Sequence, residues 1–206
     1  NVSELKKEKF EPYLTTMAKE LKPETGFVLP YGDSPYDHEN VGEEVYVHIL
    51  NHAKKYVHIM TPYLILDNGM LDTLTRAAKS GIEVCIIMPH IPDKWYAFAV
   101  AQTYYEELIS AGVQIYEYTP GFVHAKVFVS DNDTATVGTI NLDYRSLYHH
   151  FECGTFIYNN PVVWEIERDF QNTLKACQKI TMLDVKARRI GMKMVGRVLR
   201  LIAPLM

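Results

Sequence analysis

The alternation of short apolar runs with longer segments of helical periodicity constrains the fold of this chain most. The runs are rich in β-branched and aromatic residues, which favours buried strands, whereas the segments beside them repeat their apolar residues every three or four positions. The predicted strands in the first part of the chain are 56–60, 84–89 and 113–118, and the predicted helices are 43–54, 69–79 and 94–110. This order predicts an α/β domain, a mixed β-sheet sandwiched between helices.

A predicted hairpin follows in the second part of the chain. Strands at 126–129 and 134–137 flank the turn residues 131–133. A further strand at 153–158 precedes a predicted helix from about 161 to 179, with Pro161 suited to its first turn.

The charge of the chain is unevenly distributed. Of the 21 basic residues six lie within 185–206, where there is no acid, which leaves 15 basic against 25 acidic residues elsewhere. This acidic body argues against nucleic acid as a partner, because a general nucleic-acid binder needs a basic face for phosphates. The six basic residues are Lys186, Arg188, Arg189, Lys193, Arg197 and Arg200.

Segment 185–206 is predicted to be a basic amphipathic helix, because its charges recur at three- and four-residue steps opposite apolar residues. Such a helix lies in an anionic membrane interface or packs on the domain with its charges in solvent. The chain starts at Asn1, so we expect an upstream segment, with 1–25 a helix leading in from it. No apolar run reaches the ~18–20 residues of a membrane span.

The three cysteines are widely spaced and form no C-x-x-C pair. This pattern favours neither a disulfide framework nor a zinc site. We therefore expect Cys85, Cys153 and Cys177 to be reduced, buried thiols.

The stretch HAKVFVSDNDTATVGTIN holds the main functional signal. His124 and Lys126 are two apart, so on a strand their side chains share a face, and Thr139 and Asn141 are two apart beyond the next strand. Asp131 lies in the turn between them. A hairpin of this kind gathers an imidazole, an ammonium, a hydroxyl and an amide around one pocket.

That set of groups suits a phosphodiester, whose reaction depends on positioning and on stabilisation of negative charge. Lys126 supplies positive charge without a metal, and Thr139 and Asn141 donate hydrogen bonds to phosphate oxygens. His124 acts as nucleophile or as general acid and base. Glu152, 28 positions after His124, is the candidate carboxylate that orients the imidazole.

The motif H-x-K-x4-D, followed by Gly138-Thr139-x-Asn141, resembles that of the phospholipase D superfamily. The resemblance implies a phospholipase D-like fold that is one half of a two-half enzyme. It makes His124, Lys126, Asp131 and Glu152 the catalytic set, with Lys126 and Asn141 as phosphate ligands. Asp131 then matches a structural carboxylate, expected in a hairpin ion pair rather than in proton transfer.

The resemblance is more detailed to the C-terminal half of bacterial cardiolipin synthases. It includes TPYL (61–64), GIEVCIIMP (81–89), AGVQIYEYTPGFVHAK (111–126), VGTINLDYRS (137–146) and HFE (150–152). It implies a catalytic half-domain over 1–184 and the separate tail helix over 185–206. Tyr63 and Asp93 are further candidates for the pocket.

The activity implied is transfer of a phosphatidyl group between two phosphatidylglycerol molecules through a phosphohistidine, with release of glycerol. It requires neither a metal nor another cofactor. The place implied is the cytoplasmic face of a bacterial cell membrane. The alternatives are a homodimeric phosphodiesterase or nuclease of the same superfamily, and a half-domain that binds anionic phosphates or membrane without catalysis.

Such a reaction needs two histidines, and this sequence carries a single H-x-K motif, since no other histidine has a lysine two positions on. The second half-domain is expected upstream in the same polypeptide or in a second copy of the chain. If this chain is the C-terminal half, the family pattern makes His124 the general acid.

Overall fold

The computed structural model describes residues 25–188 and 190–205. Ten strands and six α-helices alternate along this part of the chain. The strands are β1 (Phe27–Asp33), β2 (Tyr56–Met60), β3 (Leu64–Ile65), β4 (Glu83–Pro89), β5 (Gln114–Tyr118), β6 (Val127–Ser130), β7 (Thr134–Gly138), β8 (Leu142–Asp143), β9 (Glu152–Tyr158) and β10 (Cys177–Ile180). The helices are α1 (Val41–His52), α2 (Asn68–Lys79), α3 (Trp95–Ser110), α4 (Val162–Leu174), α5 (Met182–Ala187) and α6 (Ile190–Arg200), with a π-helical turn at Arg145–His149 and a 3-10 turn at Ala203–Leu205.

Eight strands form one mixed sheet in the order β1-β9-β7-β6-β2-β4-β5-β10. The central strands β2, β4 and β5 are parallel, and every other neighbouring pair is antiparallel. Strands β3 and β8 form a separate parallel pair. The mixed α/β fold predicted from the sequence is confirmed.

Helices cover both faces of the sheet. Successive side chains of a strand point to opposite faces, so the buried residues of the central strands pack against helices on both sides. Val84, Ile86 and Met88 of β4 pack into the larger core with α1, α2 and α3. Cys85 and Ile87 point to the opposite face, where they pack with Phe170 of α4.

The end of the domain differs from the sequence-based expectation of one helix over 161–179. Helix α4 ends at Leu174, and Cys177–Ile180 pairs antiparallel with β5 at the edge of the sheet. The free edge of β5 offers backbone hydrogen bonds that outweigh the local helical periodicity. A capping box between Thr181 and Asp184 then starts α5.

The tail is likewise divided where we expect one helix over 185–206. Helix α5 ends at Ala187, Arg188 has an extended backbone, and α6 begins at Ile190. The expected helix within 1–25 falls outside the described residues, apart from Thr25 itself, which is not in a helix.

The three cysteines are free, as expected, but not all are buried. Cys85 is buried and Cys177 is half-buried, whereas Cys153 is exposed. Within 25–188 and 190–205, no helix is both long and apolar enough to cross a bilayer.

Candidate functional site

His124 and Lys126 lie in an extended segment just before β6, at the end of the sheet where the parallel strands β2, β4 and β5 finish. The Gly138 backbone N–H donates to the Lys126 carbonyl at 3.3 Å, which holds this segment against the end of β7. His124 is exposed, whereas Lys126 is only 9% exposed. The pair therefore offers an accessible imidazole over a fixed ammonium.

The two side chains are in direct contact. Lys126 Nζ lies 3.0 Å from His124 Nε2 and donates to the His124 carbonyl at 2.7 Å. Desolvation, followed by the charge of Lys126, lowers the pKa of His124 below its ordinary value. Desolvation also lowers the pKa of Lys126, against the opposing charges of Glu152 and Asp143. An ammonium that donates to Nε2 requires that this nitrogen carry no proton.

Thr139 and Glu152 form a second pair beside the first. The Thr139 hydroxyl donates to Glu152 and accepts from the Cys153 backbone N–H at 3.0 Å. A Cβ on Gly138 would lie 2.3 Å from the Cys153 carbonyl oxygen. Glycine at 138 therefore allows β7 and β9 to approach closely enough to bring Thr139 against Glu152.

Asn141 is held in place by the loop and the π-helical turn that follow β8. Its Nδ2 donates to Ser146 Oγ at 3.0 Å, and the Ser146 backbone N–H donates to Asp143 Oδ1 at 2.7 Å. Among the described residues, Asn141 Oδ1 is buried without a hydrogen-bond partner. A buried polar atom of this kind marks a place where a ligand or water completes the site.

A cleft of about 440 Å³ joins these side chains. Its walls are Tyr63, Ile65, Lys94, Tyr96, Ala97, His124, Asn141, Asp143, Arg145, Ser146, His150, Glu152 and Leu205. The Tyr63 hydroxyl donates to Asp93 Oδ2 at 2.5 Å at its rim. Lys126 and Thr139 open onto a neighbouring hollow that shares His124 and Asn141 with the cleft.

Asp131 does not join the other candidates. It lies beyond the far end of β6, so five residues of extended chain, roughly 16 Å, separate it from Lys126. Its carboxylate accepts the backbone N–H groups of Lys54, Lys55 and Tyr56 at 2.6, 2.9 and 3.0 Å. Asp131 therefore lies apart from the other candidates, and backbone hydrogen bonds rather than the expected ion pair fasten the hairpin turn.

The orienting contact expected between Glu152 and His124 is also not formed. Glu152 begins β9, and the β7–β9 register places its carboxylate against Thr139 instead. Its other oxygen lies 3.9 Å from His150 Nδ1. Glu152 acts on the pair mainly through its charge, which opposes the lowering of the Lys126 pKa.

Several residues of the cleft were not singled out from the sequence. Asp143, Arg145 and Ser146 follow Asn141 within the run NLDYRS, and Lys94 and Tyr96 flank the start of α3. Their signal in the sequence is proximity to the motif, since a π-helical turn folds this run back onto Asn141. Burial raises the pKa of Asp143, although its hydrogen bonds to Ser146 oppose the rise.

The cleft and the neighbouring hollow together present an imidazole with an unprotonated Nε2, a fixed ammonium, a threonine hydroxyl and an amide. These groups suit an anionic tetrahedral centre. Within the described part of the chain, no cluster of three or more His, Cys, Asp or Glu side chains is arranged to hold a metal ion.

Curated proteins share this sequence over most of its length. A "Cardiolipin synthase" of Clostridium perfringens strain SM101 is 42% identical over 78% of this chain and 34% of its own length. "Cardiolipin synthase 2" of Bacillus anthracis is 36% identical over 94% of this chain and 38% of its own. An "Uncharacterized protein" of Streptococcus mutans is 54% identical over 96% of this chain and 42% of its own. The chain thus spans less than half the length of these relatives.

Solved structures share the fold at low sequence identity. A phosphatidylserine synthase of Haemophilus influenzae superposes with a TM-score of 0.69 at 16% identity, over 89% of this chain and 48% of the other. The phospholipase D family member Nuc of Salmonella typhimurium superposes with a TM-score of 0.64 at 18% identity, over 76% of this chain and 99% of the other. Residues 46–174 match the family described as "Cardiolipin synthase, PLD-like domain". The chain belongs to the phospholipase D superfamily, in the family of cardiolipin synthase-like domains.

Proposed function

We propose that this chain is the C-terminal catalytic half of a phosphatidyltransferase that makes cardiolipin from two phosphatidylglycerol molecules and releases glycerol. The observation that carries the proposal is the contact of 3.0 Å between Lys126 Nζ and His124 Nε2, where the cleft adjoins the neighbouring hollow. It places one positive charge and one proton-accepting nitrogen where a phosphodiester would enter. The names of the relatives supply the substrate class.

The reaction proceeds in two displacements. An imidazole of the second half-site attacks phosphorus, so that an N–P bond forms while the P–O bond to glycerol breaks. His124 Nε2 gives its proton to the departing glycerol oxygen. A hydroxyl of the second phosphatidylglycerol then attacks phosphorus and gives its proton to His124, and the N–P bond breaks to release cardiolipin.

The charge state of His124 follows the substrate in this scheme. Without substrate, Lys126 and desolvation keep the ring neutral. A phosphodiester anion beside Lys126 offsets the ammonium charge and raises the pKa of the ring, which then gains the proton needed for the first displacement. The same ring, after losing that proton, is the base for the second.

The remaining groups hold the phosphate. Asn141 lines the cleft, and the N–H of its Nδ2 that Ser146 Oγ does not accept offers a hydrogen bond to a phosphate oxygen. The Thr139 hydroxyl, which donates to Glu152, can donate to a phosphate oxygen instead once Glu152 accepts a hydrogen bond from a different donor. Tyr63 and Asp93 lie at the rim of the cleft, where the phosphatidylglycerol head group would enter.

The second half-site comes from a domain upstream in the same polypeptide. This arrangement is supported by the relatives, which are more than twice as long as the region they share with this chain. The site works at the cytoplasmic face of a bacterial membrane.

Contact with an anionic membrane is made by the tail. Helix α6 exposes Met194 and Val198 at 62% and 64%, and Leu201, directly after the helix, is exposed at 81%. Lys193 and Arg197 lie on the same helix. A helix that offers apolar side chains beside basic ones lies in an anionic lipid interface.

Product analysis tests the proposal. The full-length polypeptide is incubated with phosphatidylglycerol in mixed micelles, and lipids and free glycerol are measured. We expect cardiolipin and glycerol in equal amounts. Phosphatidic acid without cardiolipin would make the enzyme a hydrolase, and no product from a membrane-bound polypeptide would contradict enzymatic function.

A second candidate is a homodimeric phosphodiesterase or nuclease in which two copies supply the two half-sites. It is favoured by the match to Nuc, since nearly the whole of that chain superposes on this one. A symmetric dimer of the 206-residue chain that cleaves a phosphodiester without any upstream domain would establish it. A monomer without such activity would exclude it.

A further inference from the structure

A small basic hollow lies between α3 and the two tail helices, apart from the cleft. Arg188, Lys193 and Arg197 line it with Gln102, Thr103, Glu106 and Met192, over the buried Ala99 and Val185. Three cations against one carboxylate give the lining an excess of positive charge. None of these side chains belongs to the wall of the catalytic cleft.

The hollow is built by close helix packing. A Cβ on Gly196 would lie 2.5 Å from the Ala99 carbonyl oxygen, so glycine lets α6 approach α3 closely. Arg200 lies over the Tyr104 ring at 4.0 Å and fastens the end of α6 to α3. The basic side chains are therefore held on a docked helix rather than on a free tail.

The cations of the hollow have unused hydrogen-bonding capacity. Arg188 Nη2 donates to Glu117 Oε1 at 3.3 Å, and Arg188 Nη1 is buried with no hydrogen-bond partner among the described residues. Lys193 donates to the Lys186 carbonyl at 3.2 Å. Within 25–188 and 190–205, neither Lys193 nor Arg197 is in an ion pair. Cationic side chains that line a hollow without a carboxylate partner favour an anionic ligand with several acceptor oxygens.

The size of the hollow agrees with such a ligand. Its volume is about 40 Å³. One water needs roughly 10–15 Å³ by this measure, so the hollow has room for about three waters, close to a phosphate group in size.

We propose that this basic hollow binds a phosphate group outside the catalytic cleft, carried by an anionic phospholipid head group or by free phosphate. The exposed apolar side chains of α6, Met194 and Val198, offer a surface for acyl chains beside it and favour the lipid as the source. The inference does not depend on the proposed function, because it concerns binding rather than turnover.

Methionine methyl NMR of the 206-residue chain tests the proposal, because Met192 lines the hollow and Met194 does not. The chain is titrated at constant ionic strength with inorganic phosphate and with glycerophosphoglycerol, the soluble head group of phosphatidylglycerol. We expect a saturable shift of the Met192 methyl signal and an unchanged Met194 signal.

Two double variants make the test specific. Lys193→Gln with Arg197→Gln should weaken the affinity read from Met192 by at least about tenfold, since each removes a charged donor. Lys79→Gln with Lys186→Gln removes the same charge elsewhere and should change it less than about twofold. No saturable Met192 shift, or an equal effect of the two double variants, would overturn the proposal.

Vesicles separate the two sources of phosphate. Broadening of the Met192 signal by phosphatidylglycerol vesicles but not by phosphatidylcholine vesicles, together with a response to glycerophosphoglycerol, assigns the hollow to a lipid head group. A response to inorganic phosphate alone assigns it to the free ion.

Discussion

Lys126 fixes the proton state of His124, because its ammonium is held against Nε2 and against the carbonyl of the same residue. A lysine on the surface would sample many rotamers, whereas this side chain is 9% exposed. The charge is thus in place before substrate arrives, so little reorganisation is needed when a phosphate anion enters.

This contact predicts how His124 titrates. The midpoint of its ring, followed by ¹⁵N NMR, should lie below 6.5 in the chain without substrate. Since the charge of Lys126 is one cause of the lowering, Lys126→Met should move the midpoint upward. A midpoint above 6.5 in the unsubstituted chain, or one insensitive to Lys126→Met, would contradict the account.

The hydroxyl of Thr139 is predicted to matter more than its methyl group. Thr139→Val removes the donor to Glu152 and the acceptor of the Cys153 N–H, so we expect cardiolipin formation by the full-length polypeptide to fall roughly 100-fold. Thr139→Ser keeps the hydroxyl and should retain most of the rate. Equal rates for the two variants would show that the hydroxyl has no part in the reaction.

The β6–β7 hairpin is the element that carries the half-site, and its two ends have different tasks. The end before β6 presents His124 and Lys126, whereas the turn at the other end is fastened to the segment before β2 by Asp131. Asp131 has a φ of 53°, in the left-handed region that aspartate and asparagine tolerate.

Asp131→Asn is therefore predicted to reduce stability and to leave chemistry intact. Asparagine keeps the turn conformation but loses the charge that receives three backbone N–H groups, which costs about 2 kcal/mol of unfolding free energy in urea denaturation. Cardiolipin formation at a temperature where the variant is folded should stay within about twofold. Unchanged stability with lost turnover would return Asp131 to the catalytic set.

Elements with strong periodicity were predictable from the sequence, and those decided by tertiary contacts were not. The strands 56–60 and 84–89 have the buried, β-branched runs of central strands and are confirmed. Strand β10 is a short edge segment whose pairing with β5 depends on residues about 60 positions away, so the local periodicity of 161–179 does not reveal it. Sequence spacing also could not show that the β7–β9 register directs Glu152 to Thr139.

At the scale of the whole molecule, the described residues form one eight-stranded sheet and the small β3–β8 pair, with the half-site at one end of the central strands. The gathering of His124, Lys126, Asn141 and Glu152 around adjoining hollows followed from the motif, since the hairpin and β9 bring them to the same edge. The cleft and the adjoining hollow supply one imidazole and one ammonium of the H-x-K kind, and the two displacements proposed at phosphorus need a second set.

Single-turnover release of glycerol from phosphatidylglycerol by the full-length polypeptide tests the central claim most directly. His124→Ala should slow this release by at least about 100-fold, because glycerol then departs without a proton donor. His52 is an exposed histidine at the end of α1, beside the turn that holds Asp131, and His52→Ala should release glycerol at the rate of the unsubstituted polypeptide. Undiminished release by His124→Ala would contradict the account.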